Sequence, residues 1–133
     1  MIAVDTSALV AIIFGEPERD KFLAAIHRSG RALIATPTVL ETRLVVRGRR
    51  GERAVALLDD LLNLPVFEHV PPTPSDIAAA YSAFVVFGKG SGHPAGLNYG
   101  DLFAYALAKT RNLPLLHKGH DFSQTDIRSA TDG

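Results

Sequence analysis

Met1-Ile2-Ala3-Val4-Asp5-Thr6-Ser7-Ala8-Leu9-Val10 opens the chain and decides its fold. Four apolar residues without a polar interruption read as a strand buried on both faces, which is the pattern of a parallel sheet covered by helices. Asp, Thr and Ser are good helix caps, and Leu9, Val10, Ile12, Ile13 and Phe14 follow at helical spacing. A strand therefore runs through a short polar turn into a helix, with Thr6 or Ser7 as the expected cap. Asp5 closes the strand at the end where parallel sheets bind their ligands.

The same alternation continues along the chain. Pro17 and Glu18 suit the first turn of a second helix, whose inward face is Phe22, Leu23 and Ile26 and which Gly30 ends. Ala32-Leu33-Ile34-Ala35 is a second strand. Thr36-Pro37 opens a helix through Leu44, Val45 and Val46; Gly48 and Gly51 interrupt a basic stretch, and a further helix carries Val55, Leu58, Leu61 and Leu62. Val66 to Val70 is a third strand, and Thr73 or Ser75 caps a helix from Asp76 to Phe87. A loop from Gly88 to Gly96 leads to a helix from Leu97 to Lys109 capped by Asn98. Leu113 to Leu116 is a fourth strand, and Thr125 to Ala130 a final short one. Strands alternating with helices predict an α/β domain, with a central parallel sheet of four to five short strands whose C-termini share one edge. No repeat or internal boundary divides residues 1–133, so a single domain is expected.

Composition narrows the function. Hydrophobic residues make up 47% and charged residues 21%, an ordinary globular balance. Cysteine is absent, which removes disulfides and cysteine-based zinc sites. No apolar run approaches the roughly 18 residues of a membrane span, and the opening lacks the pattern of a secretory signal, so a cytoplasmic protein is expected. Formal net charge is zero, which argues against holding nucleic acid by bulk positive charge but not against a nucleic-acid enzyme.

Four acidic residues punctuate the apolar elements: Asp5, Glu41, Asp101 and Asp121. Each also has a bland reading. Asp5 fits a capping turn, and Glu41 an exposed helix position paired with Arg43 or Arg47. Asp101 fits charge–dipole stabilisation at a helix start, and Asp121 an ordinary turn. Yet Glu41 sits between Leu40 and Leu44, and Asp101 begins the almost wholly apolar Leu102-Phe103-Ala104-Tyr105-Ala106-Leu107-Ala108. A carboxylate drawn into such surroundings needs a cation or a hydrogen-bond partner. Carboxylates meeting at one sheet edge repel unless a divalent ion neutralises them. Such an ion acidifies water and stabilises leaving oxygens, which suits phosphodiester chemistry. Thr6 and Asn98 are expected to orient ligands or phosphate, and Asp126 to assist as a further acidic group.

Other motifs carry less. Gly88-Lys89-Gly90-Ser91-Gly92 follows a helix and lacks the Gly-Lys-Ser/Thr ending, so it is not a phosphate loop. It is expected to border the site, where Lys89 could meet a backbone phosphate. Arg43, Arg47, Arg49, Arg50 and Arg53 form the basic cluster, read as a solvated face in preference to an RNA or partner contact. The five histidines show no paired zinc spacing, though His93, His117 and His120 could border the site.

The blocks Val4-Asp5-Thr6-Ser7-Ala8-Leu9, Leu40-Glu41-Thr42, Ala95-Gly96-Leu97-Asn98-Tyr99-Gly100-Asp101 and Leu115-Leu116-His117-Lys118-Gly119-His120-Asp121-Phe122, with Thr125-Asp126 after them, carry a resemblance across essentially the whole chain. Their order and spacing resemble the PIN-domain ribonucleases, and more closely the VapC toxins of type II toxin–antitoxin systems. His120 departs mildly from the pattern, since an acidic residue or Asn is frequent there. The resemblance implies a three-layer α/β/α domain and a Mg²⁺- or Mn²⁺-dependent endoribonuclease with tRNA or ribosomal RNA as target. It also implies a homodimer and a VapB-type antitoxin joined to the toxin in a hetero-oligomer, with no membrane partner. Asp5, Glu41, Asp101 and Asp121 would hold one or two ions. Ala80, Tyr81, Phe84 and Val85 give weak independent grounds for the dimer, since they also read as core. Two other readings stay open: a phosphatase or phosphotransferase with Asp5 as nucleophile, and a PIN-fold binding module without chemistry.

Overall fold

The computed structural model describes residues 1–131. Its sheet has four parallel strands, β1 (Ile2–Val4), β2 (Ala32–Ala35), β3 (Phe67–Val70) and β4 (Leu115–Leu116), in the order β3-β2-β1-β4. Ala3 faces Leu33 of β2 on one side and Leu115 of β4 on the other. Six α-helices connect the strands among the described residues: α1 (Thr6–Ile13), α2 (Arg19–Ser29), α3 (Thr36–Arg50), α4 (Glu52–Leu62), α5 (Pro74–Phe87) and α6 (Tyr99–Arg111).

Strand alternation builds two cores, one on each face. Ile2, Val4, Ala32, Ile34 and Leu116 pack with α1 to α4, chiefly Leu9, Ile12, Phe22, Ile26, Val46 and Leu58. Ala3, Leu33, Ala35 and Leu115 pack with α5 and α6, chiefly Ala80, Ala83, Leu102, Tyr105 and Leu107. The result is the three-layer α/β/α domain with helices on both faces. Removing a buried leucine such as Leu9, Leu58 or Leu107 would cost roughly 2–5 kcal/mol.

Several boundaries differ from the sequence reading for local reasons. The cap of α1 is Asp5 itself, whose side chain accepts the Ser7 amide, so Thr6 is already helical. Helix α3 runs through Gly48 and ends at Gly51, whose φ of 79° suits a residue without a side chain. Thr73 caps α5, and its box with Asp76 brings Pro74 into the first turn. Thr125 to Ala130 is not a strand. Phe122–Gln124 forms a 3₁₀ turn, Thr125 donates its hydroxyl to the Phe122 carbonyl at 2.6 Å, and Ser129 alone bridges to Leu115. Tyr81, Phe84 and Val85 lie on the surface rather than in the core, where of the four only Ala80 belongs.

Candidate metal centre

The strand order places β1 between β2 and β4, so the chain leaves the C-terminal edge in opposite directions from β1 and β4. A crevice opens at that point in such sheets. Asp5 sits there, its amide donating to the Leu116 carbonyl at 3.0 Å. Helices α1, α3 and α6 carry the remaining groups to it. An open cleft of about 380 Å³ is lined by Asp5, Thr6, Ser7, Glu16, Glu41, Arg49, Asp101 and Lys118, with Val10 and Val45 as its apolar floor.

Asp5 is 3% exposed. Its Oδ2 accepts the Ser7 amide at 3.0 Å and the Ser7 hydroxyl at 2.8 Å, while its buried Oδ1 has no hydrogen-bond partner. Burial, reinforced by the charges of Asp101 and Glu41, pushes its pKa up to about 7 against the two Ser7 bonds. Ser7 in turn accepts the Lys118 amide at 2.9 Å, which ties the turn after β4 to the turn after β1.

Glu41 lies in the second turn of α3. Its Oε1 accepts the Thr6 hydroxyl at 2.7 Å, and Thr6 also meets the Thr42 hydroxyl at 2.9 Å. The alternative of a surface pair fails, because Arg43 binds Asp59 and Arg47 binds Glu52. Asp101 begins α6 as the third residue of a capping box with Asn98. Asn98 accepts the Asp101 amide, and Asp101 Oδ2 accepts the Asn98 amide, each at 2.9 Å. Burial first, then the charges of Asp121 and Glu41, raise the Asp101 pKa to about 6.

Asp5, Glu41 and Asp101 thus share one cleft; Asp121 is exposed and does not line it, though its charge acts on Asp101. Among the described residues no three acidic or histidine side chains are drawn into a common ligating arrangement. Mutual repulsion and the prior bonds of Glu41 and Asp101 account for that spread. The donor set still fits a hard divalent cation. It is all oxygen, one oxygen of Asp5 is buried without a partner, and two of the carboxyls hold protons unusually well.

Other expected groups lie elsewhere. Asn98 spends its side chain on the helix start. Asp126 is away from the cleft, bound by the Tyr105 hydroxyl at 2.7 Å and Lys109 at 2.6 Å. The Gly88 to Gly96 loop does not border the cleft. Gly88 pairs with Leu97, and His93 packs edge-on against Phe87 with its Nδ1 accepting the Ala95 amide. His117 is buried against Phe122, where desolvation lowers its pKa, and His120 lines a separate hollow. Glu16, Lys118 and Gly100 join the site without having been singled out. A side chain at Gly100 would collide with the Glu41 carboxylate. The adjacency of Gly100 to Asp101 was the available signal for that residue; Glu16 carries none.

The PIN domain model matches residues 2–128. A VapC ribonuclease of Mycobacterium bovis, Mb0640, is 44% identical over 126 residues, 95% of each chain. Among solved structures, Mycobacterium tuberculosis VapC20, described as a sarcin-ricin loop cleaving toxin, superposes with a TM-score of 0.76 at 17% identity over 96% of each chain. VapBC2 from Rickettsia felis, bound to a DNA fragment from its promoter, gives a TM-score of 0.75 at 16% identity over 97% of this chain and 96% of that one. The chain belongs to the PIN-domain family, in its VapC branch.

Proposed function

We propose that this chain is the toxin of a type II toxin–antitoxin pair and a divalent-metal-dependent endoribonuclease that arrests translation by cutting tRNA or ribosomal RNA. The observation that carries the reading is the buried, unpartnered Oδ1 of Asp5 in a cleft shared with Asp101 and Glu41. Asp5 and Asp101 would hold Mg²⁺ or Mn²⁺, with Glu41 and Asp121 completing or extending the set. When bound, the ion lowers the pKa of water and stabilises the departing oxygen of the phosphodiester. Ser7 fixes Asp5 through two hydrogen bonds, and Thr6 fixes Glu41 through one. The capping box fixes Asp101. These bonds engage one oxygen of each carboxylate, and a bound cation would offset the repulsion that keeps the three apart.

The family relationship supports a VapB-type antitoxin as partner. Among the described residues no helix is long and apolar enough to cross a membrane, and the cytoplasm, where tRNA and ribosomes are, is the proposed location. The exposed Ile77, Tyr81, Phe84 and Tyr99 border an apolar hollow of about 470 Å³ between α5 and α6, which supports a homodimer or antitoxin surface there. A phosphatase using Asp5 as nucleophile is less well supported. The position two residues on, where such enzymes place a second acid, is Ser7, and Ser7 is spent on holding Asp5.

The test is incubation of total RNA from the source organism with antitoxin-free protein, in Mg²⁺ or Mn²⁺ and in EDTA, with cut sites mapped by sequencing. Metal-dependent cuts at a few positions support the reading. RNA left intact under every metal refutes it.

A further inference from the structure

Arg49 lines the acidic cleft two turns beyond Glu41 on α3, with Val45 between them. The structure divides the basic cluster to which it belongs. Arg43 is held by Asp59 at 2.9 Å and Arg47 by Glu52 at 2.6 Å. Arg49 and Arg50 make no ion pair among the described residues. Both instead place their guanidinium groups over the ring of Phe14, 5.6 Å and 4.8 Å from its centre. The other cation lining the cleft, Lys118, is neutralised by Glu16 at 2.8 Å and Glu18 at 3.3 Å. Arg49 is therefore the one basic side chain lining the cleft that lacks an anionic partner among the described residues.

A helix C-terminus favours cations, and that explains why α3 carries arginines in its last turn. It does not explain two guanidiniums gathered on one ring. The ring attracts each of them, but like charges held near one ring repel, and an anion bound by either lowers that repulsion. The cleft also needs such a group. Its carboxylates repel an incoming polyanion, so a strand laid across it must be held by a cation on the wall.

We infer that Arg49, steadied with Arg50 on Phe14, is a substrate-binding residue that holds a backbone phosphate beside the bond to be cut. Eight helical residues separate Glu41 from Arg49, a rise of about 12 Å. The phosphate Arg49 meets is therefore a neighbour of the reacting one. A planar guanidinium matches phosphate with two parallel hydrogen bonds. The inference rests on the ribonuclease reading above and names the part of the substrate that the wall of the cleft holds.

Arg49→Ala, Arg49→Lys and Arg53→Ala, the last an exposed position on α4 outside the cleft, are compared with the unmodified protein in two measurements. One is steady-state cleavage of the mapped RNA target. The other is binding of a short labelled single-stranded RNA of mixed sequence over a salt series, with every protein also carrying Asp5→Asn so that nothing is cut. Arg49→Ala is expected to raise KM about tenfold while kcat changes little, the mark of a contact made equally in the ground and transition states. It should also lower the slope of log affinity against log salt by about 0.7, one phosphate contact on a single strand. Arg49→Lys should restore the slope and part of KM, and Arg53→Ala should change neither.

An unchanged KM and salt slope in Arg49→Ala, with the unmodified protein cleaving, overturns the inference and leaves the ribonuclease reading intact. If the unmodified protein does not cleave, that reading fails, and the salt slope still decides whether Arg49 binds phosphate.

Discussion

The carboxylate of Glu41 lies against the bare backbone of Gly100, in space that any side chain at position 100 would occupy. Gly100 immediately precedes Asp101, so one contact sets the spacing of two carboxylates from different helices, α3 and α6. In an ordinary helix, alanine is favoured over glycine by roughly 0.5–1 kcal/mol. Gly100→Ala is therefore expected to leave thermal stability close to that of the parent while displacing Glu41. Misplacement of a reacting group by about 1 Å can cost roughly a hundredfold in rate. RNA cleavage by Gly100→Ala should fall by about that factor, and full activity would show that the position of Glu41 does not matter.

Burial holds Asp5 at about 7 where its ordinary value is 3.8. Between those values the folded, metal-free protein keeps a proton that the unfolded chain has released. Its stability therefore falls as pH rises from 3.8 to about 7 and levels off above. Asp101, raised to about 6, adds to the same trend. In EDTA, Asp5→Asn should flatten the urea-unfolding profile over this range. At pH 8 it should exceed the parent in stability by a few kcal/mol, at about 1.4 kcal/mol per unit of pKa. Added Mg²⁺ should stabilise the parent above pH 7 and leave Asp5→Asn unmoved. A parent protein whose stability ignores pH in EDTA would contradict the burial of a charged Asp5.

Asp76 shows the opposite electrostatics. It caps α5 with Thr73 and accepts hydrogen bonds from Thr110 at 2.7 Å and Arg111 at 2.9 Å, which locks α5 to α6. Burial works against its ionisation, but these partners hold its pKa down to about 2. Its contribution is complete above 3.8 and is lost as pH falls toward 2. Asp76→Ala is expected to destabilise by roughly 2 kcal/mol at pH 7, since it removes a helix cap and the anionic partner of the half-buried Arg111. Activity per folded molecule should be unchanged; selective loss of activity at unchanged stability would place Asp76 in the site.

Asp126 is occupied by Tyr105 and Lys109, away from the cleft. Asp126→Asn is therefore expected to keep cleavage within about twofold of the parent, the small change typical of a surface pair. A large drop in kcat at normal stability would restore it as a participant.

Most of the fold was legible because its signals are local. Val4-Asp5-Thr6-Ser7 announces a strand running through a capping turn into a helix, though the cap falls on Asp5 and not on Thr6 or Ser7, and Asn98 announces the start of α6, though not its box with Asp101. That Asp5 and Asp101 lie near one sheet edge could be inferred from a strand end and a helix start, but the sequence alone could not show that they share a cleft with Glu41, which sits in the second turn of α3. The rest depended on contacts that sequence spacing does not encode. Gly100 matters because a residue 59 positions earlier fills its missing side chain. Glu16 and Lys118 enter the cleft as an ion pair spanning 102 positions. Thr125 to Ala130 reaches β4 only at its end, where Leu115 donates its amide to the Arg128 carbonyl and accepts the Ala130 amide; before that, Asp126 is drawn to α6 and the chain turns.

The most direct test of the metal-site account is the chemistry of the RNA ends left by the purified protein, measured beside Asp5→Asn. Hydrolysis by metal-activated water predicts 5′-phosphate and 3′-hydroxyl ends, cleavage abolished by EDTA, and none from Asp5→Asn although it stays folded. Cleavage that survives EDTA, or ends bearing a 2′,3′-cyclic phosphate, would mean that the RNA 2′-hydroxyl is the nucleophile and would contradict the assignment of Asp5, Glu41 and Asp101 to a metal centre.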